Sequence, residues 1–232
     1  RIDLSQERNA KKMDNHVQTE MDASSIMGQI LPGFPIPMPP GDHPVTVDNF
    51  TDNTTDTTAL SIQSDWNLGE NHFLIMGYEL AYDKLEASSD SRIAPFGMPV
   101  PIGVSSQYDG EQSRHSIFAA MESLLNDDWL VNYGVRYTWV KSDMNIHKDP
   151  VSIGGVEFGN GSDSSQDSSD GKAVFNAGLS YNGFENLSLR ANYSQGYRAP
   201  ILQELFIDSL MGGRFTYANP DLKPETTDNF EI

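Results

Sequence analysis

The chain has 232 residues, 38% of them hydrophobic, and a formal net charge of -18 from 33 acidic and 15 basic side chains. No apolar run reaches the roughly 20 residues that a membrane helix needs, and the acidic balance excludes the basic footprint of a nucleic-acid-binding protein. The absence of cysteine rules out both a disulfide framework and a thiolate metal site.

Residues 1–56 read as irregular loop. They are polar, then rich in Pro and Gly between Pro32 and Pro44 (Gly33, Pro35, Pro37, Pro39, Pro40), and proline removes ladder donors. Three hairpins follow. The first pairs 58–67 with 72–86: Leu60, Ile62 and Trp66 share a face in one strand, and Leu74, Met76, Tyr78, Leu80 and Tyr82 share a face in the other. The second pairs 113–125 with 129–142 around Asn126-Asp127-Asp128. Its return strand has the clearest pattern in the chain. Trp129, Val131, Tyr133, Val135, Tyr137 and Trp139 alternate with Asn132, Gly134, Arg136 and Thr138, which is the side-chain period of a strand. The third pairs 172–182 with 187–199, and a further strand begins at Thr226. Between the hairpins, 87–112, 147–171 and 201–224 read as loops, and the Ser/Asp tract 161–171 reads as mobile.

An apolar aromatic face opposite a polar one, ending in Trp at both extremities, is the pattern of a strand between lipid and a wet lumen. Tight turns at one end and long connections at the other are the asymmetry of an outer-membrane barrel. The fold class predicted is all-β: an antiparallel meander forming part of a transmembrane β-barrel with long extracellular loops. The charges Asp65, Glu79, Glu122, Arg136 and Arg190 then fall on the inner face, where they line a lumen or meet a plug.

The end of the chain carries two boxes. Tyr197-Arg198-Ala199-Pro200 closes a strand, and Asn219-Pro220-Asp221-Leu222-Lys223-Pro224-Glu225 follows about twenty residues later. Together they resemble the TonB-dependent outer-membrane receptors. The resemblance implies a closed barrel of about 22 strands with a plugged lumen, of which this chain supplies about six to seven. Residues 1–232 are then a partial barrel domain, 1–56 mostly extracellular loop and 57–232 three hairpins with the start of a seventh strand. No plug and no TonB-contacting segment are recognised in it.

The resemblance further implies energy-coupled uptake of an iron complex, haem or a ferric siderophore. It implies as partners TonB (through the plug region), a haem-carrying protein and outer-membrane lipid. No cofactor is expected, and no His stands beside a Ser or Asp as an enzyme would need. Haem receptors of this type tend to place a His, a common haem ligand, between the two boxes. Residues 201–218 contain none, and Met211, Arg214 and Tyr217 are the ligand candidates there. His16, His43, His72, His115 and His147 lie elsewhere. A passive porin-like barrel and a soluble β-sandwich module are the alternative readings.

Overall fold

The computed structural model describes residues 1–22, 41–95, 100–211 and 214–232, with the side chains of 21, 22, 95, 209–211, 214 and 215 left undescribed. The proline-rich stretch 32–40 lies outside these residues. The chain folds as an antiparallel meander whose long strands are β1 (Ile2–Asp22), β2 (Asp42–Asn67), β3 (His72–Pro95), β4 (Ile102–Leu124), β5 (Trp129–Lys148), β8 (Ser162–Phe184), β9 (Leu187–Arg198) and β12 (Glu225–Glu231), hydrogen-bonded in that order. Two short hairpins, β6–β7 (Val151–Ile153, Val156–Phe158) and β10–β11 (Ser209–Met211, Arg214–Thr216), and one short helix, α1 (Leu202–Phe206), complete it. The sheet curls into a half-barrel.

The predicted hairpins form at the expected turns, 68–71, 125–128 and 185–186. The strands, however, run much further than the sequence pattern suggested. The expected loop 1–56 contains β1 and the first half of β2, paired from Ile2↔Ile62 to Asp22↔Asp42. The expected loop 87–112 is largely strand, with β3 and β4 paired from His72↔Ser123 to Ile93↔Ile102. The Ser/Asp tract is also strand, paired with the second half of β5 through His147↔Asp163, Asp143↔Asp167 and Trp139↔Gly171. A β4 of 23 residues reaches roughly 75 Å at about 3.3 Å per residue, against an apolar zone about 25 Å tall.

The reason is an inversion of polarity partway up the wall. Register partners across a ladder share a face. One such row runs Leu4–Leu60–Leu80–His115–Trp139, the last opposite Gly171, and is apolar or aromatic on the outside. The next row towards the far end is Gln6–Thr58–Tyr82–Ser113–Lys141–Ser169, and the one after it Arg8–Asp56–Lys84–Glu111–Asp143–Asp167. Within four residues along each strand the outer face passes from hydrocarbon to charge. Exposed pairs there, Arg8–Asp56 at 3.3 Å, Lys12–Asp52 at 2.6 Å and Lys141–Asp143 at 2.9 Å, contribute little stability each but keep that face wet.

The inner face changes in the opposite sense. Alongside the apolar outer belt it carries polar groups, including Glu79 paired with Arg136 across β4 and buried Ser116 sharing a hydrogen bond with Thr138. Beyond the switch it becomes apolar: Val45, Val47, Leu85, Ala87, Ile93, Val140, Met144 and Ile146 are buried. A strand whose apolar residues change sides loses its simple signature where they do so, although its period of two continues.

At the far end β6 lies against β4 (Ile102↔Ile153), and Val104, Val151, Ile153 and Phe158 pack on fully buried Ile102. The β6–β7 turn is Gly154-Gly155, both at positive φ (59° and 83°), as a two-residue hairpin of this twist requires.

A chamber under the inward-folded strap

The distinctive departure from a plain wall occurs after β9. β8 and β9 pair only from Phe184↔Leu187 to Asn176↔Ser194. Above that point β9 continues on β12 alone, up to Arg198↔Glu225, and the chain turns to the concave side. The Tyr-Arg-Ala-Pro box is the turn. Pro200 is buried, has no N–H for a ladder, and offers its carbonyl to the inner wall. Gln112 Nε2 donates to Pro200 O at 3.1 Å and to Ser142 Oγ at 2.8 Å, all within buried surroundings.

α1 follows immediately and lies flat on the wall. Leu202, Leu205 and Phe206 at the i, i+3, i+4 spacing of one helix face enter a cluster with Leu85, Ala87, Tyr108, Met144 and Ile146. Gly110 makes room for this. A Cβ there would stand 2.6 Å from the end of the Met144 side chain and 3.4 Å from Leu202. The inward-switched apolar residues of β3–β5 and the apolar face of α1 therefore cover each other.

The second box anchors the other end of the strap. Asn219 accepts from the backbone N–H of Asp221 at 3.1 Å, a local turn, and Leu222 N–H bonds to Asn219 O at 3.1 Å. Pro220 and Pro224 flank this turn, and Glu225 starts β12. The two boxes meet through Arg198, whose guanidinium lies 2.7 Å from Glu204 and 3.4 Å from Glu225. Glu204 also accepts from the Ile201 N–H at 3.1 Å, securing the start of α1.

The Arg198 hydrogen bond holds the Glu204 carboxyl below the ordinary carboxylate range, with burial opposing. A depressed carboxylate stabilises the folded strap above its unfolded pKa, and that contribution is lost as pH falls through the depressed value. The protection of the Leu205 and Phe206 amides, taken relative to their intrinsic exchange rates, is therefore expected to be flat around neutrality and to fall only in acid, below about pH 4. In Glu204→Gln that acid step should vanish. An unchanged step in the variant would place the titrating group elsewhere.

Beneath the strap lies a cavity of about 700 Å³ on the concave face. Its lining brings together Arg114, Arg136 and Arg198 with Glu79, Gln195 and Tyr197. Arg136 is held by Glu79 and lies 5.2 Å from the Phe118 ring centroid. Arg114 stands 3.7 Å from Asp83. The Tyr197 hydroxyl is shielded from solvent and meets no hydrogen-bond partner among the described residues. Of the family-motif residues, Tyr197, Arg198 and Ala199 line the chamber, Pro200 closes it, and Asn219, Pro220, Asp221 and Leu222 shape the return of the strap.

The candidates on the strap itself are separated from this lining. Met211 and Arg214 are register partners in the β10–β11 hairpin, and their side chains lie outside the described residues. Tyr217 follows that hairpin and is 60% exposed. The histidines also lie apart. His16 contacts Asp48 at 2.5 Å, His72 contacts Ser123 at 2.9 Å, and His115 stacks on Trp139 and reaches the Tyr78 hydroxyl at 2.7 Å. His147 sits between Asp163 and Asp149, and His43 is near the start of β2. Arg114 and Gln112 were missed by sequence reading. Both sit in a stretch read as loop or strand margin, and only the inverted alternation could have marked them.

A half-barrel with an apolar outer belt, a polar inner face and a strap folded into its concavity defines a segment of a membrane β-barrel. The chain belongs to the TonB dependent receptor-like, beta-barrel family, whose model matches residues 14–232. That family consists of transport receptors, not enzymes. Among solved structures, the ferric yersiniabactin uptake receptor FyuA from Yersinia pestis is similar at 14% identity and a TM-score of 0.42, over 84% of this chain and 26% of that one. The Serratia marcescens hemophore receptor HasR, as a double mutant in complex with its hemophore HasA and heme, is similar at 11% identity and a TM-score of 0.40, over 94% of this chain and 45% of that one. The chain thus spans less than half the length of either. No curated protein matches it.

Proposed function

We propose that this chain is part of the wall of a Gram-negative outer-membrane receptor that imports an iron complex, a ferric siderophore or haem, with energy delivered by TonB through a plug region. The observation that carries the reading is the chamber. Arg114, Arg136 and Arg198 line it against Glu79 and Asp3, in a chain whose formal net charge is -18. Guanidinium forks suit carboxylate and phosphate oxygens, and an anionic ferric chelate presents such oxygens. The Tyr197 hydroxyl adds an unpaired donor or acceptor at the same site. The cavity lining includes no His, which favours a chelate that brings its own iron ligands over haem held by an imidazole.

The test is titration of the complete receptor in detergent with a panel of ferric siderophores and with hemin. Binding of an anionic ferric siderophore, weakened by Arg114→Ala, is the expected result. Hemin binding with a shifted Soret band and no siderophore binding would move the function to haem uptake. Failure of both would sink the iron reading altogether.

A further inference from the structure

Among the described residues, the upper part of β8 carries an open backbone edge. Below Asn176 in number its only ladder partner among the described residues is β5, because β9 leaves it there and continues on β12 before the chain turns inward at Pro200. The free edges of β1 and β12 differ, since further strands can continue the wall there. The edge of β8 lies between consecutive strands of one chain. The Phe175 N–H reaches the Gln195 side chain on this open side at 3.3 Å, whereas the Asn182 N–H bonds to Asp128 O on the β5 side. With a period of two, the N–H and C=O groups at positions 163, 165, 167, 169, 171 and 173 therefore point at the gap. Positions 163, 165, 167 and 169 lie beyond the apolar belt, 171 lies on its boundary row opposite Trp139, and 173 lies inside it opposite Tyr137.

We propose that this edge is a strand-addition site for an extended basic segment of a partner protein. Backbone pairing would supply affinity, and charge would supply selection. Asp163 and Asp167 stand on the outer face of the edge strand. Neighbouring strands stand about 4.8 Å apart, so cationic side chains of the added strand meet Asp163 and Asp167 directly, while the outer-surface basin lined by Asp52, Glu86 and Asp109 lies three to five strands away and adds only to the negative field of that face. A second copy of this chain, paired antiparallel in the register centred on Ser165, would set Asp163 against Asp167 across the new ladder, which destabilises that pairing. The same charges that oppose it thus leave a Lys- or Arg-bearing strand as the fitting occupant. The inference does not depend on which nutrient the receptor carries.

The probe is a synthetic peptide alternating Lys and Thr, long enough to cover 162–174, titrated onto the complete receptor in detergent. Binding that weakens as salt rises from about 50 to about 500 mM is expected, with none for the Glu-for-Lys peptide. Ser169→Pro removes one donor from the open edge and none from the β5 ladder, so the affinity should fall about threefold to tenfold. Asp167→Asn should weaken binding and flatten its salt dependence. A Lys/Thr peptide N-methylated at every amide keeps its charge but loses its donors, and it tests the receptor without altering it. Equal binding of the methylated and unmethylated peptides, or no binding of either at low salt, would overturn the proposal.

Discussion

Phe206→Ala is expected to release the strap while leaving the barrel wall intact. Phe206 is 2% exposed and packs with Leu202 and Leu205 against Leu85, Tyr108, Met144 and Ile146. Truncating a buried Phe costs about 3–5 kcal/mol. Among the described residues, the strap is also tied to the wall by the buried hydrogen bond from Gln112 to Pro200 and by the partly exposed Arg198 pairs. Hydrogen exchange across 201–224 should therefore rise towards the rate of an undocked loop, with β3, β4 and β5 still protected. Ile201→Ala, at a 45% exposed position, should change little. Retained protection in Phe206→Ala would mean that the two boxes, and not the helix face, hold the strap. The same variant bears on the chamber: an undocked strap uncovers it, while Arg114, Arg136 and Arg198 stay on the wall strands that carry them.

The second large effect belongs to the lipid face. Val135 lies near the middle of the outward row Trp129–Trp139 and opposite Ala119 and Phe175. Arg at a bilayer-midplane position of a membrane barrel costs about 2–4 kcal/mol, and almost nothing near the interface. Val135→Arg should therefore lower unfolding stability in lipid vesicles by that amount. Asn145→Arg, on the same face of the same strand but beyond the charged row, should be close to neutral. Equal costs at the two positions would contradict the boundary drawn at the Leu4–Trp139 row. Because both residues lie on β5 and both become Arg, the pair isolates depth from chemistry.

Much of the wall was legible because it obeys one rule at a time. In Val131–Trp139 the apolar residues alternate with Asn132, Gly134, Arg136 and Thr138, and strand, turn and lipid face all follow. In β1 the same rule operates, but only Ile2 and Leu4 belong to the belt, too few to register among the charges that follow them. In 140–148 the alternation persists with its sides exchanged: Val140, Met144 and Ile146 inward, Lys141, Asp143 and His147 outward. Read with a single assignment of faces, that stretch and its partners in β3, β4 and β8 resemble loop. The Ser/Asp tract offered no hydrophobic signal at all. Its strand conformation comes from the ladder that β5 presents to it.

The chamber was less legible than the wall. The two boxes were visible as words in the sequence, and a loop-shaping role could be read from their prolines. That Arg198 joins them, that Pro200 docks on Gln112, and that Arg114 and Arg136 share a cavity with Tyr197 depend on residues 60 to 90 positions apart, or on neighbouring strands, for which local pattern carries no information.

The sequence by itself determined the all-β class, the positions of the tight turns, the lipid-facing rows and the family, because these rest on local periodicity and on contiguous motifs. Only the tertiary structure decided where each strand ends, which way the wall faces beyond the belt, and where the strap lies. Those depend on what covers each face: lipid outside the belt, water above it, and α1 on the inner wall. A strand's two faces are chosen by its surroundings, and the surroundings exist only once the sheet has curled.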